Sequence, residues 1–332
     1  FNDATGALEP ASIVEDVENP SFLALHPSKK FLYSSDEVDT YDGEAEGAIS
    51  AWAIDEKTGA LTLINRIGAG GTSPCHLVVD PTGRNVLAVG YGSGTVAVFP
   101  IDSGGRLQTA STRIEHHGAS VDPVRQTSPH PHQVVLDPTA RRVWIPDLGL
   151  DRIVAYQFDR AKGLLTPSDP PAVPTAPGAG PRHLAFHPDG RHAYSINELD
   201  LTITAFDYDQ DRGVLVPRET ISAIDKNADR TGVSGAEIAV HPNGKFVYVS
   251  LRGTDEIVAY EVDPSTAALK FLERVPSGGK KPRNFTIDPS GKWLLAANQD
   301  SGNIQVFHIE ATGRLTTDAN TATVPSPVCL AF

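Results

Sequence analysis

A phrase that recurs six times constrains the fold of this chain more than any other feature. In each copy a short apolar segment runs into His-Pro or Asp-Pro, a small polar turn follows, and a second apolar segment comes next. The copies read LALHPSKKFLYSS, LVVDPTGRNVLAV, VVLDPTARRVWIP, LAFHPDGRHAYSI, IAVHPNGKFVYVS and FTIDPSGKWLLAA, with the marker prolines at Pro27, Pro81, Pro138, Pro188, Pro242 and Pro289. The spacing is therefore about fifty residues, which with several strands per repeat is typical of a β-propeller.

Each repeat continues into a third and a fourth apolar segment, as in TITAFDYD and KTGALTLINRI. The segments carry β-branched and aromatic residues between turn formers, so we predict four antiparallel strands per repeat. Residues 1–15 and the terminal VCLAF match only parts of a further repeat. We expect these two ends to close a seventh blade. Its missing strands either lie upstream of Phe1, which we favour, or are absent, so that the blade is stunted. The prediction is an all-β, seven-bladed propeller of four-stranded blades, forming a single domain over residues 1–332.

Composition excludes several classes of function. The 28 Lys and Arg against 41 Asp and Glu give a net charge of −13 without a basic stripe, which argues against nucleic-acid binding. No apolar run approaches the roughly 20 residues of a membrane span. Cys75 and Cys329 are too few for a disulfide framework, so we expect two thiols and favour a cytoplasmic location. Export stays an alternative, because the chain contains no Met and begins within a motif.

The repeats diverge at the start of the first strand and at the end of the second. Because these strands are antiparallel, both positions fall on one rim of a propeller, near its central channel. Two columns of the repeat alignment sample the first-strand position: Ser21, Cys75, His132, Arg182, Ala236 and Arg283, followed by Phe22, His76, Gln133, His183, Glu237 and Asn284. The second-strand column reads Glu37, Tyr91, Leu148, Glu198, Arg252 and Gln299, the last preceded by Asn298.

Units that needed only to pack would carry similar residues in equivalent positions. The rim instead collects arginine, histidine and carboxylate side chains in non-repeating order. We interpret it as a pocket for an anionic, oxygen-rich small molecule, in which arginines pair with carboxylate or phosphate and a His or Glu moves protons. The alternative is a hydrated channel mouth whose polar residues only avoid burial.

Several phrases carry a resemblance to a known family: SPHPHQVVLDP, GPRHLAFHPDGRHAYSINE, GAEIAVHPNGKFVYVSLRG and KKPRNFTIDPSGKWLLAANQDSGNI. In order and over nearly the whole chain they resemble the seven-bladed lactonase family. That family includes the propeller type of 6-phosphogluconolactonase and the fungal 3-carboxy-cis,cis-muconate lactonizing enzyme. The resemblance implies metal-independent lactone chemistry at the channel mouth, with no cofactor.

The resemblance also implies roles for individual residues. The catalytic set proposed for the muconate lactonizing enzyme matches His132 in PHPHQ, Arg182 in GPRH, Glu198 in INE and Arg252 in SLRG. Arg283 of KPRNF resembles a further arginine of the phosphogluconolactonase branch. We predict the substrate-binding residues to be His76, His183, Glu237, Arg283 and Asn298.

The predicted function is hydrolysis of a sugar-acid lactone, with 6-phosphogluconolactone as the leading candidate. His132 would deprotonate water, Arg182 or Arg252 would stabilise the oxyanion, and Glu198 would orient an arginine or act as the acid. The expected partner is a small anionic lactone or sugar acid. The alternatives are a carboxy-muconate cycloisomerase and a non-enzymatic interaction propeller.

The candidate residues also have purely structural interpretations. His132 could bond a backbone carbonyl at the rim, Glu198 could only position Arg182, and Arg182 and Arg252 could join adjacent blades. The histidines before the marker prolines are expected to cap turns, at positions His26, His187 and His241. His130 and His132 are two residues apart in a predicted strand and should face the same way, and His116 and His117 lie in the preceding loop. No histidine or cysteine spacing indicates a zinc site, so we predict no metal.

Overall fold

The computed structural model describes residues 1–332 and contains 24 β-strands in six four-stranded sheets. Every sheet is an antiparallel meander in which strands consecutive in sequence are neighbours. Residues Pro10–Gly180 with Ala331 form one compact unit (the N-terminal unit), and Phe1–Glu9, Pro181–Leu330 and Phe332 form another (the C-terminal unit). Each unit contains three of the sheets. None of the elements is a helix that could span a membrane.

The N-terminal unit holds strands β1 to β12. The first sheet is β1 Pro20–Leu25, β2 Phe31–Asp36, β3 Ala48–Ile54 and β4 Leu61–Gly68. The second is β5 Pro74–Val79, β6 Asn85–Gly90, β7 Thr95–Pro100 and β8 Thr112–Glu115. The third is β9 Val135–Leu136, β10 Arg142–Asp147, β11 Arg152–Asp159 and β12 Leu164–Pro174.

The C-terminal unit holds strands β13 to β24. Its first sheet is β13 Pro181–Phe186, β14 His192–Asn197, β15 Thr202–Asp209 and β16 Val214–Ser222. The next is β17 Ser234–Val240, β18 Phe246–Arg252, β19 Glu256–Val262 and β20 Leu269–Pro276. The last is β21 Pro282–Ile287, β22 Trp293–Asn298, β23 Asn303–Ile309 and β24 Leu315–Thr323.

Burial follows the position of a strand in its sheet. The second strands are almost wholly buried, and β6 (NVLAVG) and β22 (WLLAAN) have no exposed residue. The fourth strands are far less buried: β24 is mostly exposed or half-buried, and β4 has no fully buried residue. Strands covered on both faces read as continuous apolar runs, and each buried Val or Leu side chain contributes about 1.5–3 kcal/mol. This pattern agrees with the apolar second segment of each repeat in the sequence.

The residue before each marker proline is either His or Asp, because either side chain can accept the backbone N–H groups of the turn. Asp80 and Asp288 accept the N–H of the residue two positions later, at 2.8 and 3.0 Å. Nδ1 of His26, His187 and His241 accepts the equivalent N–H at 3.0, 3.2 and 3.1 Å. The predicted capping role of these three histidines is confirmed.

The histidine turns also bind the following blade. Nε2 of each histidine bonds a glycine carbonyl there: Gly83 at 3.0 Å, Gly244 at 2.7 Å and Gly291 at 2.8 Å. A Cβ at these glycines would lie 2.3, 2.8 and 2.7 Å from the imidazole, and their φ angles are positive, so only glycine fits. The blade after Asp80 carries Ala140 at this position, with φ of 51°.

The prediction of seven blades is wrong, because the structure has six four-stranded sheets and no strand outside residues 20–323. Residues 1–19 and 324–332 form no strand, and a stable sheet needs several paired strands. Within the C-terminal unit, residues near Phe1 instead pack on the last sheet. Trp293 donates its indole N–H to the carbonyl of Asp3 at 2.9 Å, and the rings of Phe1 and Phe332 lie 5.1 Å apart.

Candidate active site

A β-bulge at the start of the first strand directs the candidate side chains. In β13 the pairing runs from Pro181–Asn197 directly to His183–Ile196, so Arg182 is the extra residue. The same shift occurs in β5, where Cys75 is extra, and in β21, where Arg283 is extra. A bulge re-aims side chains that would otherwise alternate between the faces of the sheet. These are the positions at which the repeats diverge in sequence.

Two arginines, the buried Arg182 and the partly buried Arg252, share one carboxylate in the C-terminal unit. Oε2 of Glu198, just after β14, lies 3.1 Å from Nε of Arg182 and 2.8 Å from Nη2 of Arg252, at the end of β18. Arg182 also donates to the carbonyl of Ala236 at 2.6 Å, and Arg252 to that of Gly235 at 2.9 Å. Only 1% of Arg182 and 4% of Glu198 is exposed. The trio carries two positive charges against one negative charge.

A second buried cluster lies directly beside Arg182. Nδ1 of His183 is 2.7 Å from Oε1 of Glu237, and Nδ2 of Asn284 donates to Oε2 of the same carboxylate at 2.6 Å. Asn284 in turn accepts the N–H of Leu330 at 3.0 Å. Nη1 of Arg182 lies 3.4 Å from Nε2 of His183, which joins the two clusters. The network spans three sheets, from the Arg182–Glu198–Arg252 trio to the segment before the C-terminus.

The charges in this network act on one another. Burial and the neighbouring cations Arg252 and Arg283 lower the pKa of Arg182 to about 9, with Glu198 and Glu237 acting in the opposite direction. Arg182 is thus still a cation at neutral pH.

Burial and the cations Arg182 and Arg283 also lower the pKa of His183, although Glu237 opposes the shift. Burial would raise the pKa of Glu237, but His183, Arg182 and the Ile238 N–H outweigh it and lower the pKa. The pair is consequently a neutral imidazole that donates to a carboxylate.

Two further predicted binding residues belong to the same unit. Arg283 is half-buried on β21, and its charge contributes to the lowered pKa values of both Arg182 and His183. Asn298, fully buried at the end of β22, donates to the carbonyl of Ser277 at 3.0 Å. Its Oδ1 is buried without a hydrogen-bond partner. Asn298 therefore secures the loop between β20 and β21, and its role in substrate binding stays a prediction.

His132 and His76 lie in the N-terminal unit, where both are buried. The N–H of His132 donates to the carbonyl of Pro146 at 3.0 Å, and its ring meets that of Tyr91 edge-on at 5.6 Å. The ring of His76 lies against Phe22 at 3.9 Å, and its Nδ1 is 3.5 Å from the Val134 nitrogen. Cys75 lies beneath His132, with Sγ 3.5 Å from the His132 carbonyl, and neither cysteine forms a disulfide.

The strand expected to carry His130 and His132 is reduced to the two residues of β9. Before it, only Pro131 forms an isolated bridge to Asp147. Pro129 and Pro131 have no N–H to donate to a ladder. The two histidines therefore lie on an irregular segment, not on a regular strand as predicted.

A hydrogen-bonded pair in the N-terminal unit, His116 with Asp147, was not predicted from the sequence. Nδ1 of His116 is 2.7 Å from Oδ2 of Asp147, and its Nε2 is 2.9 Å from the hydroxyl of Tyr156. Oδ1 of Asp147 accepts the N–H of His130 at 2.8 Å, so the His116–Asp147 pair anchors the segment that carries His132. Burial, with Asp147, raises the pKa of Tyr156 to about 12.

Two residues of these clusters, Asn284 and His116, were not predicted as site residues. Asn284 was visible only as a member of an alignment column, and His116 lies in a loop without a repeat equivalent. The structure brings Arg182, His183, Glu198, Glu237 and Arg252 together in one network. The grouping of His132 and His76 with them stays a prediction.

These observations define an all-β propeller protein with a buried arginine–carboxylate network at the divergent strand ends. A family model described as "Lactonase, 7-bladed beta-propeller" matches residues 1–332, and the chain belongs to this lactonase family. It is 37% identical to a 6-phosphogluconolactonase of Bacillus subtilis, over 98% of this chain and 90% of that protein. It is 34% identical to a 6-phosphogluconolactonase of Formosa agariphila, over 95% and 88%. Among solved structures it resembles a periplasmic gluconolactonase of Pseudomonas aeruginosa, with 31% identity, a TM-score of 0.90 and coverage of 98% and 92%.

Proposed function

We propose that this chain is a lactone hydrolase that opens 6-phosphogluconolactone to the sugar acid. The observation that carries the proposal is the trio of buried Arg182, buried Glu198 and partly buried Arg252, which bears one excess positive charge. Such a site favours an anionic ligand and an oxyanion. The names of the relatives at 37% and 34% identity support the same activity.

In the proposed reaction a water molecule attacks the lactone carbonyl, and the carbonyl oxygen gains negative charge. A guanidinium already fixed in a dry site stabilises that charge without reorganisation, and loss of one such donor typically costs 10²–10³-fold, roughly, in kcat. Glu198 holds both guanidinium groups in place, and His183 with Glu237 fixes Arg182 from the other side. Collapse of the tetrahedral intermediate breaks the ring C–O bond, and a proton reaches the leaving alkoxide.

We assign the proton transfers to His132, following the family resemblance, with neutral imidazole as the base near pH 7. We assign the half-buried Arg283 to the substrate phosphate, because guanidinium binds phosphate in a forked, bidentate manner. The remaining predicted residues His76 and Asn298 would contact the sugar hydroxyls.

Hydrolysis assays on two lactones test the proposal. The purified protein should open 6-phosphogluconolactone, generated in situ from glucose 6-phosphate, faster than glucono-1,5-lactone. Arg252→Gln should lose about 10²-fold in kcat/KM. Arg274→Gln, which removes an arginine that pairs with Asp225 and Glu256, is the matched control and should keep wild-type activity. A wild-type protein inactive on both lactones would refute the function.

The name of the Pseudomonas neighbour supports a second candidate substrate, the unphosphorylated gluconolactone. Arg283→Gln separates the two. If the phosphate is bound there, this variant raises KM for the phosphorylated lactone and leaves the rate on gluconolactone unchanged. Equal effects on both substrates would favour gluconolactone.

We also propose a cytoplasmic location, which two cysteines outside any disulfide favour. Fractionation of cells of the source organism tests it. Recovery of the protein with periplasmic markers would contradict the proposal and match the location named for the Pseudomonas neighbour.

A further inference from the structure

The marker turn at residues 187–192 carries two side chains that its sister turns at His26 and His241 lack, and turn capping does not explain them. In all three, the histidine accepts a turn N–H through Nδ1 and reaches the next blade through Nε2. In the sister turns the third residue is Ser28 or Asn243, and the sixth is Phe31 or Phe246, whose ring meets the histidine edge-on. Here the third residue is Asp189 and the sixth is His192. The turn thus acquires a carboxylate and a second imidazole.

These three side chains converge. Nδ1 of His187 lies 3.0 Å from Oδ1 of Asp189, and Nδ1 of His192 lies 2.7 Å from Oδ2 of the same carboxylate. The ligand atoms of all three residues are within 4.8 Å of one another. The side chains are 13%, 23% and 18% exposed, so a small ion can reach them from solvent.

The hydrogen-bond pattern places acceptor atoms face to face. Nε2 of His187 lies 2.7 Å from the Gly244 carbonyl and must carry a proton there, so in the neutral ring Nδ1 is a lone pair. That lone pair accepts the Asp189 N–H at 3.2 Å and also lies 3.0 Å from the carboxylate oxygen Oδ1 of Asp189. The same oxygen, Oδ1 of Asp189, also accepts the N–H of Arg191 at 2.8 Å. A cation between these atoms, whether a metal ion or the proton of an imidazolium, removes the repulsion.

The surroundings match those of a metal centre. Metal-binding histidines usually direct the second ring nitrogen at a carbonyl or carboxylate, which fixes the ring and raises its basicity. Nε2 of His187 bonds the Gly244 carbonyl, and Nε2 of His192 lies 3.6 Å from Oδ1 of Asp207. Two imidazoles with one carboxylate are ligands for Zn²⁺ and not for Mg²⁺ or Ca²⁺, which take oxygen.

We propose that His187, Asp189 and His192 bind a zinc ion, with water as the fourth ligand. In the metal-free turn the Nδ1 lone pair of His187 accepts the N–H of Asp189, and on binding the ion would replace this N–H. Because the marker turn connects β13 to β14 and His187 bonds the next blade, the ion would secure this edge of the C-terminal unit. The proposal is independent of the proposed lactonase activity.

Calorimetric titration of tag-free, chelator-treated protein with ZnCl₂ tests the site. Wild type should show one site with a 1:1 stoichiometry, and His192→Phe should lose it. That variant reproduces the residue of both sister turns, so its fold is expected to persist, and circular dichroism verifies this. Asp207→Asn should weaken binding about tenfold or more. A wild type that does not bind, or a His192→Phe variant that binds as tightly, would overturn the proposal in favour of a protonated histidine.

A transplant provides a test of sufficiency. Ser28→Asp with Phe31→His gives the His26 turn the same three ligand types, and the titration should then report two zinc ions per chain. Replacing Zn²⁺ by Co²⁺ should give the visible absorption of a tetrahedral ion in wild type and none in His192→Phe. A stoichiometry that stays at one in the transplanted variant would contradict the inference that the three residues suffice.

Discussion

Glu198 is the residue on which the candidate site depends most, because it is the carboxylate that both guanidinium groups share. Its removal would leave Arg182 and Arg252 as neighbouring cations in a dry environment. Buried ion pairs add little net stability, yet the loss of one partner leaves a charge that neither water nor protein neutralises. The consequence is a stability effect that is separable from catalysis.

We expect Glu198→Gln to lower the free energy of unfolding by about 3 kcal/mol, since the isosteric amide keeps the packing but not the charge. Urea denaturation measures the change. Glu256→Gln, which removes a more exposed carboxylate 3.4 Å from Arg274, should cost less than about 1 kcal/mol. Equal losses in the two variants would show that the shared carboxylate has no special role.

His183 predicts a pH dependence of stability. Its pKa is lowered in the folded protein, so the unfolded chain takes up a proton first, near pH 6.5. The stability that the neutral imidazole contributes is therefore present above about pH 6.5 and is lost as the pH falls below that value towards the lowered pKa of the folded protein. Glu237, also with a lowered pKa, acts in the same sense but only below about pH 4.5.

Urea midpoints between pH 7 and 5 measure this slope. His183→Asn keeps an N–H directed at Glu237 but does not titrate, so its slope should be flatter than that of wild type. The exposed His117→Asn is the control and should behave as wild type. An unchanged slope in His183→Asn would assign the acid sensitivity to other groups.

At the scale of elements, the strand–turn–strand hairpin of each repeat was predictable and its irregularities were not. The marker phrase defined six sheets, since apolar runs around a Pro-containing turn have few alternative structures. The bulges that carry Arg182 and Arg283 depend on pairing register with the second strand, which no local pattern specifies. The sharing of Glu198 by two arginines likewise arises from contacts between β14, β18 and the β13 bulge.

The glycine in the marker turn gives a prediction for a single element. We expect Gly291→Ala to destabilise the protein by more than about 2 kcal/mol, because the new methyl group meets His241 at 2.7 Å and φ is +74°. Gly232→Ala shares the positive φ of 71° but meets no atom within 4 Å, so it should cost only about 1 kcal/mol. Chemical denaturation of both variants measures the difference, and equal costs would mean that the histidine yields freely.

At the scale of the whole molecule, the number of blades could not be obtained from the repeat count. Six complete copies gave six sheets, but the partial copies at the ends did not form a seventh, because a strand without neighbours cannot satisfy its backbone groups. The single-domain organisation over residues 1–332 stays a prediction. It depends on the general behaviour of repeats, in which no single sheet buries both faces alone.

The three tryptophans allow this prediction to be tested. Trp52 and Trp144 lie in the N-terminal unit and Trp293 in the C-terminal unit. Trp293→Phe leaves tryptophan only in the N-terminal unit. The double variant Trp52→Phe with Trp144→Phe leaves tryptophan only in the C-terminal unit. In each variant we expect the fluorescence midpoint in urea to coincide with that of circular dichroism, as in one cooperative transition. Separate midpoints within a variant would indicate two domains.

The contact from a turn histidine to the next blade has an evolutionary consequence. Where the cap is His, the partner position one repeat later is restricted to glycine, and where it is Asp80 an alanine is accepted. The residue tolerated at one site therefore depends on the residue at the other, which lies 50 or 57 positions away in the sequence. The sequences of duplicated blades can diverge at these positions only in one order. The turn histidine must first be replaced by aspartate, and only then can the glycine of the next blade be replaced by a larger residue.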